Sequence, residues 1–141
     1  MSETQNAALA RRWFHEVWNE RKDATVRELL LHDAVCHMEG QEVRGPEAFL
    51  EARDVLLGAF PDLSVVVDDT VAQGDQVVVR WTARGTHQGA QLGIAATAEP
   101  VLFRGLTWIR FEGGKAAEGW DAWNQGGLVM QLQAVATKLA G

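Results

Sequence analysis

The stretch VLFRGLTWIRF, residues 101–111, alternates with a period of two over its whole length. One face carries Val101, Phe103, Gly105, Thr107, Ile109 and Phe111; the other carries Leu102, Arg104, Leu106, Trp108 and Arg110. This period belongs to a strand, whose successive side chains point to opposite sides of a sheet. The first face is nearly all apolar and should pack against helices. The second mixes arginine with large apolar groups, which is unusual for a solvated face. It fits a partner surface, most simply a second copy of the chain. The plainer alternative is a scatter of surface hydrophobes.

The neighbouring segments extend the pattern. LSVVVDDTVA and QVVVRWTARGTH read as strands joined by QGD, a hairpin signal. QGAQLGIAATAEP, residues 88–100, is a loop broken by Gly and Pro. AAEGWDAW is a further strand, joined to residues 101–111 through EGGK. Upstream, residues 6–19 predict an amphipathic helix with Leu9, Trp13 and Val17 on one stripe. Asp23 is expected to cap a short second helix, ATVRELL. DAVCHME (33–39) reads as a short strand, and Pro46 opens a third helix that stops at Phe60. A last helix shows Leu128, Leu132, Val135 and Leu139 on one side. Helices followed by local hairpins predict an α+β fold with an antiparallel sheet covered on one face.

At 141 residues one domain spanning 1–141 is expected, long enough to bury a core without staples. A net charge of −6 argues against nucleic acid or an anionic membrane as the main partner. Cys36 is the only cysteine, so neither an internal disulfide framework nor a Cys-rich zinc site is expected. The four His, at 15, 32, 37 and 87, show no metal-ligand helical spacing. MSETQNAALARRW has no apolar signal core and no later run is long enough to span a membrane, so a cytoplasmic location is the default expectation. There is no Tyr, which removes any mechanism that needs a phenol from this chain. No Walker A, GxGxxG, GxSxG or HExxH motif is present.

Asp121 is the sharpest candidate for chemistry. It stands between Trp120 and Trp123 in AEGWDAWNQGG, although aspartate is a poor strand former. Alternation puts Asp121 on the face of Trp123 and puts Trp120 on the other. It is either an exposed carboxylate paired with a nearby cation, or an acid in an aromatic-walled pocket. In the second case its pKa rises, and it becomes a usable general acid or base. His37, on the first strand, could relay a proton or polarise a carbonyl, or be a half-buried His bonded to backbone. His87, in RGTHQG, could line a pocket mouth or merely hold the loop. Arg80 interrupts VVVRWT on a strand whose phase is ambiguous, and either reaches the far surface or contacts the pocket. Trp123, Phe103, Thr107, Ile109 and Phe111 are the candidate lining residues for a small hydrophobic ligand, with core packing as the alternative.

The markers RGPEAFL, FPDLSVVVDDTVAQGDQVVVRWTARGTHQG and VLFRGLTWIRFEGGKAAEGWDAWNQGGLVMQL together cover most of the chain. As an ensemble the sequence resembles the SnoaL-like polyketide cyclases of the NTF2-like superfamily. The resemblance implies a curved antiparallel sheet wrapped around helices into a cone with a deep apolar pocket. It also implies homodimers or homotetramers. In that family an Asp on the last strand is the acid/base for an intramolecular aldol ring closure that needs no cofactor, and Asp121 matches its position. The characterised anthracycline cyclases carry a Gln and a His where this chain has Gly105 and Thr107. Steroid isomerases and the dehydratase of the superfamily rely on Tyr, absent here. Its epoxide hydrolases use an Asp–Arg–Asp group, of which Asp121 and Arg80 are candidate members. A non-catalytic binding module, and a hydrolase or hydroxylase on the same scaffold, stand as alternatives.

Overall fold

The computed structural model describes residues 2–141. Helix α1 (Glu3–Trp13) starts earlier than the apolar stripe suggests, because Ser2 and Gln5 form a capping box. The Ser2 hydroxyl accepts the Gln5 N–H at 3.1 Å and the Gln5 side chain accepts the Ser2 N–H at 2.9 Å. The helix then widens into a π-helical turn, Phe14–Asn19. Hydrogen bonds from i to i+5 bring residues five apart onto one side. Trp13 and Trp18 consequently both meet Phe49, with ring centroids 5.1 and 6.2 Å away.

Helix α2 (Asp23–Leu29) is not capped by Asp23 as expected. Asp23 lies inside the first turn, and its carboxylate accepts a 2.6 Å hydrogen bond from Arg53 instead. Arg53 is buried, and it also donates to Asp54 at 2.9 Å and to the Val17 carbonyl at 3.3 Å. A buried guanidinium needs such partners, and these tie α2 and the π-helical turn to α3 (Gly45–Ala59). Pro46 sits in the first turn of α3, and Phe60 ends it, as the sequence indicates.

Six strands form one sheet in the order β2-β1-β6-β5-β4-β3. They are β1 (Leu30–Met38), β2 (Gln41–Arg44), β3 (Ser64–Gln73), β4 (Gln76–Thr86), β5 (Pro100–Glu112) and β6 (Lys115–Trp123). The expected antiparallel meander holds for β3 to β6. The sheet as a whole is mixed, because β1 pairs with β6 in parallel. Irregular register between Val67 and Asp69, and between Arg110 and Phe111, interrupts two of the ladders. Such bulges bend strands, in keeping with the curved, unclosed sheet.

The alternation of residues 101–111 holds. Val101, Phe103, Ile109 and Phe111 are buried, and Leu102, Leu106 and Trp108 are exposed. Val77, Val79, Trp81 and Ala83 of β4 continue the buried face, which α1 and α3 help to cover. Helix α4 (Gln125–Ala140) adds Leu128 and Leu132 to the core. No helix among the described residues is long and apolar enough to cross a membrane.

Leu132 is fully buried, whereas Met130 on the same helix is 71% exposed. Leu132→Ala is therefore expected to cost about 2–5 kcal/mol by urea denaturation. Met130→Ala should stay within about 0.5 kcal/mol of the parent. Equal losses would mean that α4 docks by another face.

Candidate functional site

The concave face of the sheet and the helices enclose a cavity of about 140 Å³. A dry cavity near this size accepts a single aromatic ring. Trp81, Phe103 and Trp123 form one wall, with Phe103 and Trp123 stacked at 4.8 Å and Trp81 set edge-on to both. Trp13, Trp18 and Phe49 face them from the helices. Ile109 and Phe111 of β5 also line it. Among the described residues no Lys or Arg lines the space.

Asp121 opens into this cavity. Register explains its place: Thr107 on β5 is opposite both Val79 on β4 and Asp121 on β6. The next row reads Trp81, Gly105, Trp123. The Thr107 hydroxyl donates to Asp121 Oδ1 at 2.7 Å, and the Trp81 indole N–H donates to Thr107 Oγ1 at 3.0 Å. Burial raises the Asp121 pKa to about 6; the Thr107 hydrogen bond opposes this, and the charge of Glu39 adds to it. The Glu39 carboxylate, just beyond β1, accepts the Trp123 N–H at 3.1 Å and also lines the cavity.

Among the other candidates, Trp123, Phe103, Thr107, Ile109 and Phe111 all line the cavity. The two histidines are not brought to Asp121. His37 borders the cavity, but its register partner is Trp120, against which its ring stacks at 5.5 Å. Both are therefore on the outer face, opposite Asp121. Its ring nitrogens face Glu42 at 2.8 Å and Glu118 at 2.7 Å. The hydrogen bond to Glu118, above all, raises the His37 pKa. His87 is wholly buried against Phe60, and its Nδ1 accepts the Thr97 N–H at 3.2 Å. With the backbone bonds His87–Glu99 and Ala98–His87 it pins the ends of the loop that carries Leu92 to the cavity. Arg80 is exposed on the outer face beside Thr82 and Arg104, because Val77, Val79 and Trp81 take the inner phase. An Asp121–Arg80 pair is thereby excluded.

Sequence reasoning missed Trp81, Glu39 and Cys36. Trp81 was legible in principle, since it is in phase with Val77 and Val79. Glu39 follows β1 at a turn, where alternation carries no signal. Cys36 lines the cavity, and burial first, then the Asp121 charge, pushes its thiol up to about 12. It is a neutral wall group at ordinary pH. Among the described residues no group of three or more His, Cys, Asp or Glu could hold a metal ion.

A curved, unclosed sheet covered by helices over an apolar pocket defines the NTF2/ketosteroid isomerase-like class of α+β folds. A Catenulispora acidiphila protein with a ketosteroid isomerase-like fold superposes with a TM-score of 0.73 at 16% identity, over 89% of this chain and 92% of that one. Within that class the chain belongs to the SnoaL-like polyketide cyclase family, whose profile matches residues 8–132. A Jannaschia sp. CCS1 structure provisionally assigned as a SnoaL-like polyketide cyclase is 27% identical, with a TM-score of 0.87 and 94% of each chain covered. AclR from Streptomyces galilaeus, provisionally assigned as a hydroxylase, is 29% identical, with a TM-score of 0.81 over 94% of this chain and 98% of that one. No curated protein sequence matches the chain.

The raised pKa of Asp121 has a consequence for stability. In the unfolded chain this group ionises near 3.9, whereas in the folded chain it holds its proton up to about 6. Between those values the folded state binds the extra proton, so this group's contribution to stability falls as pH rises through the window. Asp121→Asn keeps an acceptor for Thr107 and removes the charge. It is expected to be more stable than the parent by about 2–3 kcal/mol at pH 8 and by no more than about 0.5 kcal/mol at pH 4. A pH-independent difference in urea denaturation would contradict a burial-driven shift.

Proposed function

We propose that the chain is a cofactor-independent acid/base enzyme of the cyclase type. Its substrate is a small, neutral, hydrophobic carbonyl compound such as an aromatic keto ester, and Asp121 moves the proton. The observation that carries this reading is Asp121, its pKa raised by burial to about 6, opening into an aromatic cavity that no described lysine or arginine lines. A free carboxylate or phosphate on the substrate would meet Asp121 and Glu39 without a compensating cation.

Above about pH 6 Asp121 is ionised and serves as the base. It takes a proton from carbon next to a carbonyl, and the enolate attacks a second carbonyl of the same molecule. One carbon–carbon bond forms, and the new alkoxide recovers the proton from Asp121. Gln41 and Gln125 supply neutral amide donors in the wall for the polarised oxygen. Trp123 and Phe103 grip the apolar body of the substrate. The exposed Leu102, Leu106, Trp108 and Trp120 on the convex face support association of two or four copies there.

A second reading has a specific support in the 29% identity to AclR. The same proton removal yields a carbanion, which in a hydroxylase would add dioxygen instead of an internal carbonyl, the resulting peroxide taking a proton from Asp121 and then two electrons from an external reductant to leave the alcohol and water.

Deuterium uptake from D₂O into a panel of neutral aromatic keto esters, followed by proton NMR, reads the shared first step. The parent should accelerate exchange for at least one of them, and Asp121→Asn should lose about 10²–10⁴-fold of that rate. Unchanged exchange in the variant would remove Asp121 from the reaction. Tight binding of these esters without any exchange would favour a non-catalytic binding module.

A further inference from the structure

The reach of the Trp81 indole across β5 fixes more than packing. A hydroxyl has one hydrogen to give, and an indole nitrogen can only donate. Because Trp81 donates to Thr107 Oγ1, the Thr107 hydrogen is directed to Asp121 Oδ1. Oδ1 is thereby held as an acceptor. Oδ2 has no hydrogen-bond partner among the described residues, in a side chain that opens into the cavity. Gly105 makes the arrangement possible. A Cβ at that position would lie 2.5 Å from the Trp81 ring and 2.8 Å from the Trp123 Cβ. The indole thus occupies the volume that any side chain at position 105 would need. Gly105 and Thr107 form one arrangement with Trp81.

We propose that Trp81 and Thr107 are positioning residues that commit Oδ1 of Asp121 to a fixed hydrogen bond and leave Oδ2 as the oxygen that exchanges a proton with the ligand. The proposal deepens the role given to Asp121 above and rests on it. Donation by the indole polarises the hydroxyl and strengthens its own donation, as in any hydrogen-bonded chain. The bond favours the charged form of Asp121 and offsets part of the cost of burial. Of the other titratable groups that line the cavity, Glu39, near the end of β1, carries a charge that acts the opposite way, Cys36 holds a neutral thiol, and His37 and Glu118 are paired with each other. A threonine committed in this way has no hydrogen left for a substrate carbonyl.

Carboxyl ¹³C NMR titration of Asp121 in the ligand-free full chain tests this without turnover. Its failure is therefore separate from a failure of the exchange assay. Thr107→Val, nearly isosteric, is expected to move the Asp121 midpoint upward by about one pH unit. Thr107→Ser should restore it to within about 0.3 unit, since it returns the hydroxyl. Trp81→Phe removes the indole donor and should move the midpoint the same way by a smaller amount. It keeps the test open if the valine variant does not fold. An unmoved or lowered midpoint in Thr107→Val would overturn the proposal, as would a folded Thr107→Ser that stays at the valine value. With only Trp81→Phe folded, an unmoved midpoint there would overturn it.

Discussion

A carboxyl group enclosed by aromatic rings is costly to ionise, and the architecture around Asp121 is arranged about that cost. The inner faces of β4, β5 and β6 supply Trp81, Phe103 and Trp123, and the helices supply Trp13, Trp18 and Phe49. None of these can neutralise a negative charge. Among the described residues the only direct support for the charge is one hydroxyl, from Thr107. A lysine or arginine in the wall would hold Asp121 ionised well below neutrality and spoil it as a proton acceptor and donor. The charged side chains that could do so lie elsewhere: Arg80 and Arg104 are exposed outside, and Arg53 is locked between Asp23 and Asp54.

The fold produces this by simple means. Antiparallel registry across three strands places Trp81, Gly105 and Trp123 in one row and Val79, Thr107 and Asp121 in the next. Neighbouring rows are close enough for a long side chain to reach diagonally, and the missing side chain of Gly105 lets the indole do so. On the far side, the π-helical turn after α1 brings Trp13 and Trp18 onto one side. A regular α-helix would separate residues five apart by well over a quarter turn. Local backbone geometry and the absence of one Cβ therefore shape the two walls of the cavity.

What the sequence reveals follows the range of each interaction. Alternation is local, so the two faces of residues 101–111 and the inward face of Asp121 and Trp123 were legible. The phase of β1 is set by its parallel pairing with β6, a contact between distant segments, so the face that His37 takes was not legible in the sequence. Arg80 sits on a strand with apolar residues in both phases, so only the tertiary pairing fixes its direction. The short, polar β2 has no hydrophobic pattern and was missed. Asp23 looked like a helix cap because the sequence does not show that buried Arg53 competes for its carboxylate. The family resemblance identified the fold class, whereas the way Trp81 fills the space beside Gly105 and binds Thr107 became visible only in the structure.

The central claim is that the ionisation of Asp121 governs the chemistry of the cavity. Its most direct test compares two midpoints on one sample: the titration of the Asp121 carboxyl by NMR, and the rising limb of the pH–rate profile for deuterium exchange into a neutral keto ester. Both should fall together near pH 6. A rate that is flat from pH 5 to about 8, or that rises with a midpoint more than about one unit from that of Asp121, would contradict the account.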